Sequence, residues 1–226
     1  MEEVTTTVAV KPVVMLEGVS KVIRGRTILE DVSFEIPPAQ IVGLSGLNGS
    51  GKSTLLKVIG GFIYPTEGRV VVFGKEIGKE AEFPDKTGVL IEKPGFLTSM
   101  SGRKNLELLA SIRNEIGEKE IREVITLVGL DPDDKRPVRA YSTGMIQRLG
   151  IAQALMEHPE LLLLDEPTSN LDREGITIVH NVLRDLKKKG ITILMTSPNM
   201  EELRYICDIV FWVENGHLGK EPPQMQ

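Results

Sequence analysis

Residues Gly46 to Ser53 read GLNGSGKS, a full match to the spacing G-x-x-x-x-G-K-[ST]. Each residue type in that spacing has a use in holding phosphate. Gly46, Gly49 and Gly51 let successive backbone N–H groups curl around phosphate oxygens with no Cβ in the way. Leu47, Asn48 and Ser50 carry the intervening amides. A helix beginning near Gly51 adds the positive end of its dipole. Lys52 reaches β- and γ-phosphates, Ser53 offers a hydroxyl to Mg2+, and Thr54 adds a phosphate contact. A glycine-rich turn that merely caps a helix is the plainer reading. The complete motif between a strand-like and a helix-like segment disfavours it.

A second group of residues could act on what this loop holds. LLLLDE (Leu161 to Glu166) sets two carboxylates at the end of an apolar run. Asp165 is placed to hold Mg2+, mostly through water, and Glu166 to polarise an attacking water as general base. On their own the two acids read equally well as a solvated strand end. With a phosphate loop upstream, the chemical reading gains weight.

The elements that must position these groups follow from periodicity. Val13 to Val19 and Arg26 to Ile36 mix β-branched and polar residues as strands do, and Pro37-Pro38 ends the second. Ala39 to Gly46 is a short apolar strand leading into the loop, and Lys52 to Ile59 has helical spacing stopped by Gly60-Gly61. Arg69 to Phe73 reads as a strand, and Thr87 to Ile91 as a short buried one. From 95 to 158 the pattern turns helical, with helices at Lys104 to Arg113, Lys119 to Val128 and Gly144 to Met156. Alternation then returns. Leu161 to Asp165 and Ile191 to Ser197 are buried strands flanking a helix at Glu174 to Lys188, and Asp208 to Gly219 is a hairpin around an Asn-Gly turn. These elements predict an α/β fold: a mostly parallel sheet, an antiparallel β side sheet from the first strands, and an inserted helical subdomain.

Composition bounds the partners. The 226 residues are 41% apolar and carry a net charge of −5, which argues against nucleic acid as the main partner. The single cysteine, Cys207, allows no internal disulfide and fits a reducing cytosol, where it reads as a packed residue. No apolar run approaches the ~20 residues that span a bilayer. The first ten residues, MEEVTTTVAV, are acidic and lack a signal-peptide layout.

Four further segments carry a family resemblance. YSTGMIQRLGIAQAL (Tyr141 to Leu155) resembles the LSGGQ signature of ABC ATPases, and LLLLDEPTSNLD (Leu161 to Asp172) resembles their Walker B motif and D-loop. KPVVMLEGVSKVIRGRTILEDVSFEI and ITILMTSPNMEEL resemble the opening strands and the switch region. The likeness runs in the family's order from about Val13 to Gly219. GVLIEKPGFLTSMSGRKNLELL looks most like ATPases of bacitracin-resistance and lantibiotic-immunity exporters.

This resemblance implies a P-loop NTPase core and a single ABC-type nucleotide-binding domain over 1–226. Its core lobe would span about 1–94 and 159–226, with the helical lobe at about 95–158. It implies ATP and Mg2+ as cofactors and a head-to-tail pair with a second ABC ATPase subunit, identical or different. In that pair Ser142 and the Gly144 amide of one copy would meet the γ-phosphate of the other, and Asp172 would connect the two sites. It also implies a peripheral position on the cytoplasmic face of the membrane. There an integral membrane transporter subunit would insert a cytoplasmic helix near Glu92 and the helical lobe.

Several positions depart from that pattern. Pro198 stands where the switch histidine belongs, and it has neither a side-chain donor nor a backbone N–H. The three histidines, His158, His180 and His217, lie in other segments and read as structural or surface residues. Glu92 replaces the glutamine that senses Mg2+ and water, yet a carboxylate can still ligate the metal. Ile23 replaces the aromatic that stacks on adenine, and Thr143 and Met145 replace Gly and Gln of the signature. Gln147 and Arg148 read as helix-surface residues. The expectation is an ATPase subunit of an exporter. The alternatives are a regulatory subunit with little hydrolysis, or a soluble relative acting on nucleic acid or ribosomes.

Overall fold

The computed structural model describes residues 11–220, so the acidic N-terminal stretch lies outside it. The elements in chain order are β1 (Val14–Ile23), β2 (Arg26–Ile36), β3 (Ile41–Ser45), α1 (Lys52–Ile59), β4 (Glu67–Val72), β5 (Lys75–Glu76) and β6 (Thr87–Leu90). Then come α2 (Gly102–Arg113), α3 (Glu118–Leu127), α4 (Thr143–Leu155), β7 (Leu161–Leu164), α5 (Arg173–Lys188), β8 (Thr192–Thr196), α6 (Met200–Ile206), β9 (Ile209–Glu214) and β10 (His217–Gly219).

They build two sheets. The side sheet is antiparallel with order β2-β1-β4-β5. Its first hairpin turns through Arg24 and Gly25, both at positive φ, the arrangement whose twist suits a two-residue β-hairpin. The main sheet has order β10-β9-β3-β8-β7-β6, parallel throughout except for β10.

Strand period explains how the main sheet builds two cores. Leu161 and Leu163 of β7 point to one face, into a core shared with Val42, Leu44, the side sheet and Leu55, Leu56, Val58 and Ile59 of α1. Leu162 and Leu164 point to the other, where Ile193, Met195 and helices α2 to α5 pack. With apolar neighbours on both faces, β3, β7 and β8 are buried throughout, which is why they read as near-continuous apolar runs. Helix α5 brings Val179, Val182, Leu183 and Leu186 to that second core at helical spacing. Asp172 caps its start, and Lys187 and Lys188 complement the dipole at its end.

Two elements differ from the sequence reading. Thr87–Leu90 is the edge strand of the main sheet among the described residues and only alternately buried, because Thr87 and Val89 face an open groove while Leu90 faces the core. Helix α6 has no counterpart among the elements read from the periodicity of the sequence. It is one seven-residue stretch capped by Asn199, whose side chain accepts from the N–H groups of Glu201 and Glu202.

Candidate active site

The loop after β3 is held open from behind. Gly46 has φ 145°, and a Cβ there would come within 2.2 Å of the Val213 carbonyl oxygen on β9. Gly51 has φ 113°, and its Cβ would lie 2.9 Å from the Ile28 carbonyl oxygen on β2. Only glycine fits where the loop is wedged between these strands. The Gly216 N–H, at the tip of the β9–β10 hairpin, donates to the Ser50 carbonyl at 3.2 Å. Leu47, Asn48 and Gly49 are exposed, while Ser53 and Thr54 occupy the first turn of α1, half-buried.

Lys52 is 5% exposed, and its ammonium donates to the carbonyls of Gly46 at 2.8 Å and Leu47 at 3.0 Å. Burial pushes its pKa down, opposed by the nearby negative charges of Glu166 and Asp165. The Ser50 hydroxyl is buried with no partner among the described residues. A buried cation held by carbonyls, beside an orphaned hydroxyl and a glycine-shaped loop, fits a phosphate chain.

The two acids sit at the end of β7. The Asp165 N–H donates to the Leu90 carbonyl of β6 at 2.7 Å. Glu166 has φ 46°, a left-handed conformation uncommon for a residue with a side chain. Both ends of its backbone are fastened. Its N–H donates to the Thr196 hydroxyl at 2.9 Å, and that hydroxyl donates to Asp165 Oδ1 at 2.6 Å. Its carbonyl accepts from the Gln147 side-chain amide at 3.1 Å, and the same amide lies 3.3 Å from the Pro167 carbonyl.

The sequence marks Thr196 only as a hydroxyl closing a buried apolar strand. Gln147 and Arg148, read as surface residues, turn inward instead. Arg148 donates to the carbonyls of Val128 and Gly129 and so caps the end of α3.

Lys52 therefore lies within electrostatic reach of Asp165 and Glu166, while the other candidates make contacts of their own. The Glu92 carboxylate is taken by Lys57 of α1 at 2.5 Å, and this hydrogen bond holds its pKa below the usual range. Ile23 lies at the end of β1, 39% exposed. The Ser142 hydroxyl caps α4, accepting from the Met145 N–H at 3.2 Å, and the Asp172 carboxylate accepts from the Gly175 N–H at 2.8 Å. Gly144 lies against the 166–172 segment, where a Cβ would be 3.3 Å from the Asn170 carbonyl oxygen. Among the described residues no hydrogen bond joins Ser142, Gly144 or Asp172 to the loop 46–53.

Pro198 is exposed beside the buried Ser197. The Ser197 hydroxyl donates to Glu202 at 2.7 Å, and Glu202 pairs with the buried His180 at 2.9 Å. Burial raises the Glu202 pKa, but hydrogen bonds from His180, Thr168 and Ser197 outweigh it and leave the carboxyl below its ordinary value. His180 is thus a structural residue of α5, and His217 lies on the surface beside Glu30.

A glycine-shaped phosphate loop following a central parallel strand, faced by an Asp–Glu pair two strands away, defines a nucleoside-triphosphate-binding α/β protein. The ABC transporter family pattern matches residues 29–169. The chain belongs to the ATP-binding subunits of ABC transporters.

Over 201 residues it is 38% identical to the uncharacterized ABC transporter ATP-binding protein YybJ of Bacillus subtilis (strain 168), covering 89% of this chain and 92% of that one. It is 35% identical to the bacitracin transport ATP-binding protein BcrA of Enterococcus faecalis, covering 92% of this chain and 68% of that one. It is 34% identical to the lantibiotic transport ATP-binding protein SrtF of Streptococcus pyogenes, covering 90% and 87%. Its fold matches that of the dimeric bacterial ABC transporter cassette MJ0796 with a TM-score of 0.83 at 23% identity, covering 94% of this chain and 99% of that one. No helix among the described residues is long and apolar enough to cross a membrane.

Proposed function

We propose that the chain hydrolyses Mg-ATP in a head-to-tail pair of ABC ATPase subunits and drives export through an integral membrane subunit. The observation that carries turnover is the buried Lys52, held by the carbonyls of the glycine loop within electrostatic reach of Asp165 and Glu166. The loop amides of 46–53 and Lys52 bind the phosphates, and Ser53 and Asp165 hold Mg2+. When bound, the metal neutralises charge on the β- and γ-phosphates. Glu166 polarises the attacking water. Ser142 and the Gly144 amide of the second copy complete the site, Asp172 links the pair, and Ile23 gives the adenine apolar contact. Glu92 serves the metal and water once Lys57 releases it.

The membrane subunit docks in a groove of about 550 Å3 between the edge strand β6, the end of α1 and helices α2 and α4. Ile112 and Phe62 stand exposed along it. An apolar groove rimmed by Lys57, Lys86, Arg113, Glu92 and Glu157 suits an amphipathic cytoplasmic helix. Docking there places the chain peripherally on the cytoplasmic face of the membrane. The relatives named for bacitracin and lantibiotic transport support a peptide antibiotic as cargo.

The test is steady-state hydrolysis by the wild type, Glu166→Gln and Pro198→His. Mg2+-dependent turnover that disappears in Glu166→Gln supports the motor reading. ATP binding without turnover in the wild type, with activity gained in Pro198→His, would replace it with a regulatory subunit. That second reading rests on Pro198, which offers no hydrogen bond to a γ-phosphate.

A further inference from the structure

The left-handed backbone of Glu166 persists only if its surroundings fix it. Thr196 holds its N–H from the core side, and Gln147 holds its carbonyl from α4. The carbonyl also accepts from the Ser169 N–H at 3.0 Å, closing the turn that follows β7. Facing two carbonyls, the Gln147 side chain must present its NH2 and not its oxygen, because a reversed amide would set three acceptors against one another.

The helix that carries Gln147 begins at Ser142, and its first turn rests on Asn170 and Leu171 through Gly144. The start of α4 and the segment from Glu166 to Asp172 therefore form one packed unit.

We propose that Gln147 is a positioning residue that ties the signature-like start of α4 to Glu166, so that each site's carboxylate is set by occupancy of the other. This rests on the head-to-tail reading above. In that pair Ser142 meets nucleotide bound by the second copy, while Glu166 serves the nucleotide of its own chain. Movement of α4 towards the partner's nucleotide pulls on the Glu166 and Pro167 carbonyls through the Gln147 side-chain amide. The link is directional and needs a donor. A side chain of the same length without N–H fills the space but transmits nothing to the carbonyl.

The test compares Gln147→Met, similar in length with no donor, and Gln147→Lys, a donor of similar reach. ATP turnover, KM, the Hill coefficient, ATP-driven pairing and Tm are measured for each. The expected result is a kcat lower by roughly 10–100-fold in Gln147→Met, the scale of a misplaced catalytic group. KM and pairing stay at wild-type values, Tm falls by only about a few degrees, and the Hill coefficient falls towards one. Gln147→Lys retains most of kcat, which a space-filling role would not produce.

Gln147→Met with wild-type kcat and cooperativity would overturn the link alone, as would Gln147→Lys failing as badly as Gln147→Met. A wild type that binds ATP and pairs without turning it over would overturn the hydrolysis reading and this role together.

Discussion

Thr196→Val tests the arrangement around the two acids by a nearly isosteric change. The hydroxyl is fully buried, donates to Asp165 Oδ1 at 2.6 Å and accepts from the Glu166 N–H at 2.9 Å. Losing a hydrogen bond to a charged carboxylate costs about 1.5–3 kcal/mol, and orphaning the half-buried N–H costs about 1–3 kcal/mol more. Asp165 is only partly buried, so water recovers some of the first loss. The added methyl returns about 0.8 kcal/mol through apolar burial.

The expected net loss is about 2–3 kcal/mol, or roughly 4–12 °C in Tm for a chain of this size. Thr196→Ser keeps both hydrogen bonds and gives up one methyl, for about 1 kcal/mol. Urea unfolding without nucleotide isolates the effect, since bound ligand would add its own stabilisation. The order wild type, Ser, Val is the expected one. A Val variant as stable as the Ser variant would refute the reasoning, because it would mean the hydroxyl holds neither acid.

Replacing Ile23 with Tyr restores an aromatic at the end of β1 and is expected to tighten ATP binding by about 0.5–1.5 kcal/mol, several-fold in Kd. Calorimetric titration giving equal affinities would remove Ile23 from the adenine site. Burial pushes the Cys207 thiol up to about 12. At pH 8 it should therefore react with an alkylating reagent on the order of 10²–10³-fold slower than a free thiol. The rate should rise to the free-thiol value in denaturant. Equal rates in the folded protein would show that the thiol is not shielded.

The phosphate loop was legible because its requirements are local. Three glycines, a lysine and a hydroxyl within eight residues specify its shape and chemistry, and strand and helix periodicity confirmed its setting. The side sheet and the buried run Leu161–Leu164 were legible for a similar reason, since alternation and length reflect how many faces are covered. What failed depended on distant partners. A four-residue apolar strand looks the same at the edge of a sheet as at its centre, so Thr87–Leu90 was read as buried. Gln147 bonds to a carbonyl 19 residues away and Thr196 to an acid 31 away. Backbone acceptors carry no side-chain signal, so nothing in the sequence marks Gln147 as their donor. The α6 start could have been found from Asn199 followed by two acids and then Leu203 and Ile206.

The strand that feeds the phosphate loop is flanked on both sides by strands made much later in the chain. Val42 of β3 pairs with Leu194 on one side and with Ile209 on the other. A nascent chain emerging from the ribosome with GLNGSGKS already synthesised still lacks both neighbours of that strand, and the hairpin that props the loop from behind. Nucleotide cannot stabilise such a chain early, because its binding shape depends on contacts spanning over 150 residues of sequence. High sequence separation of this kind slows folding and lengthens exposure of the apolar strands. The binding site therefore becomes usable only after β8 and β9 are made, although the strand that feeds it precedes its partner residues there by over 150 residues.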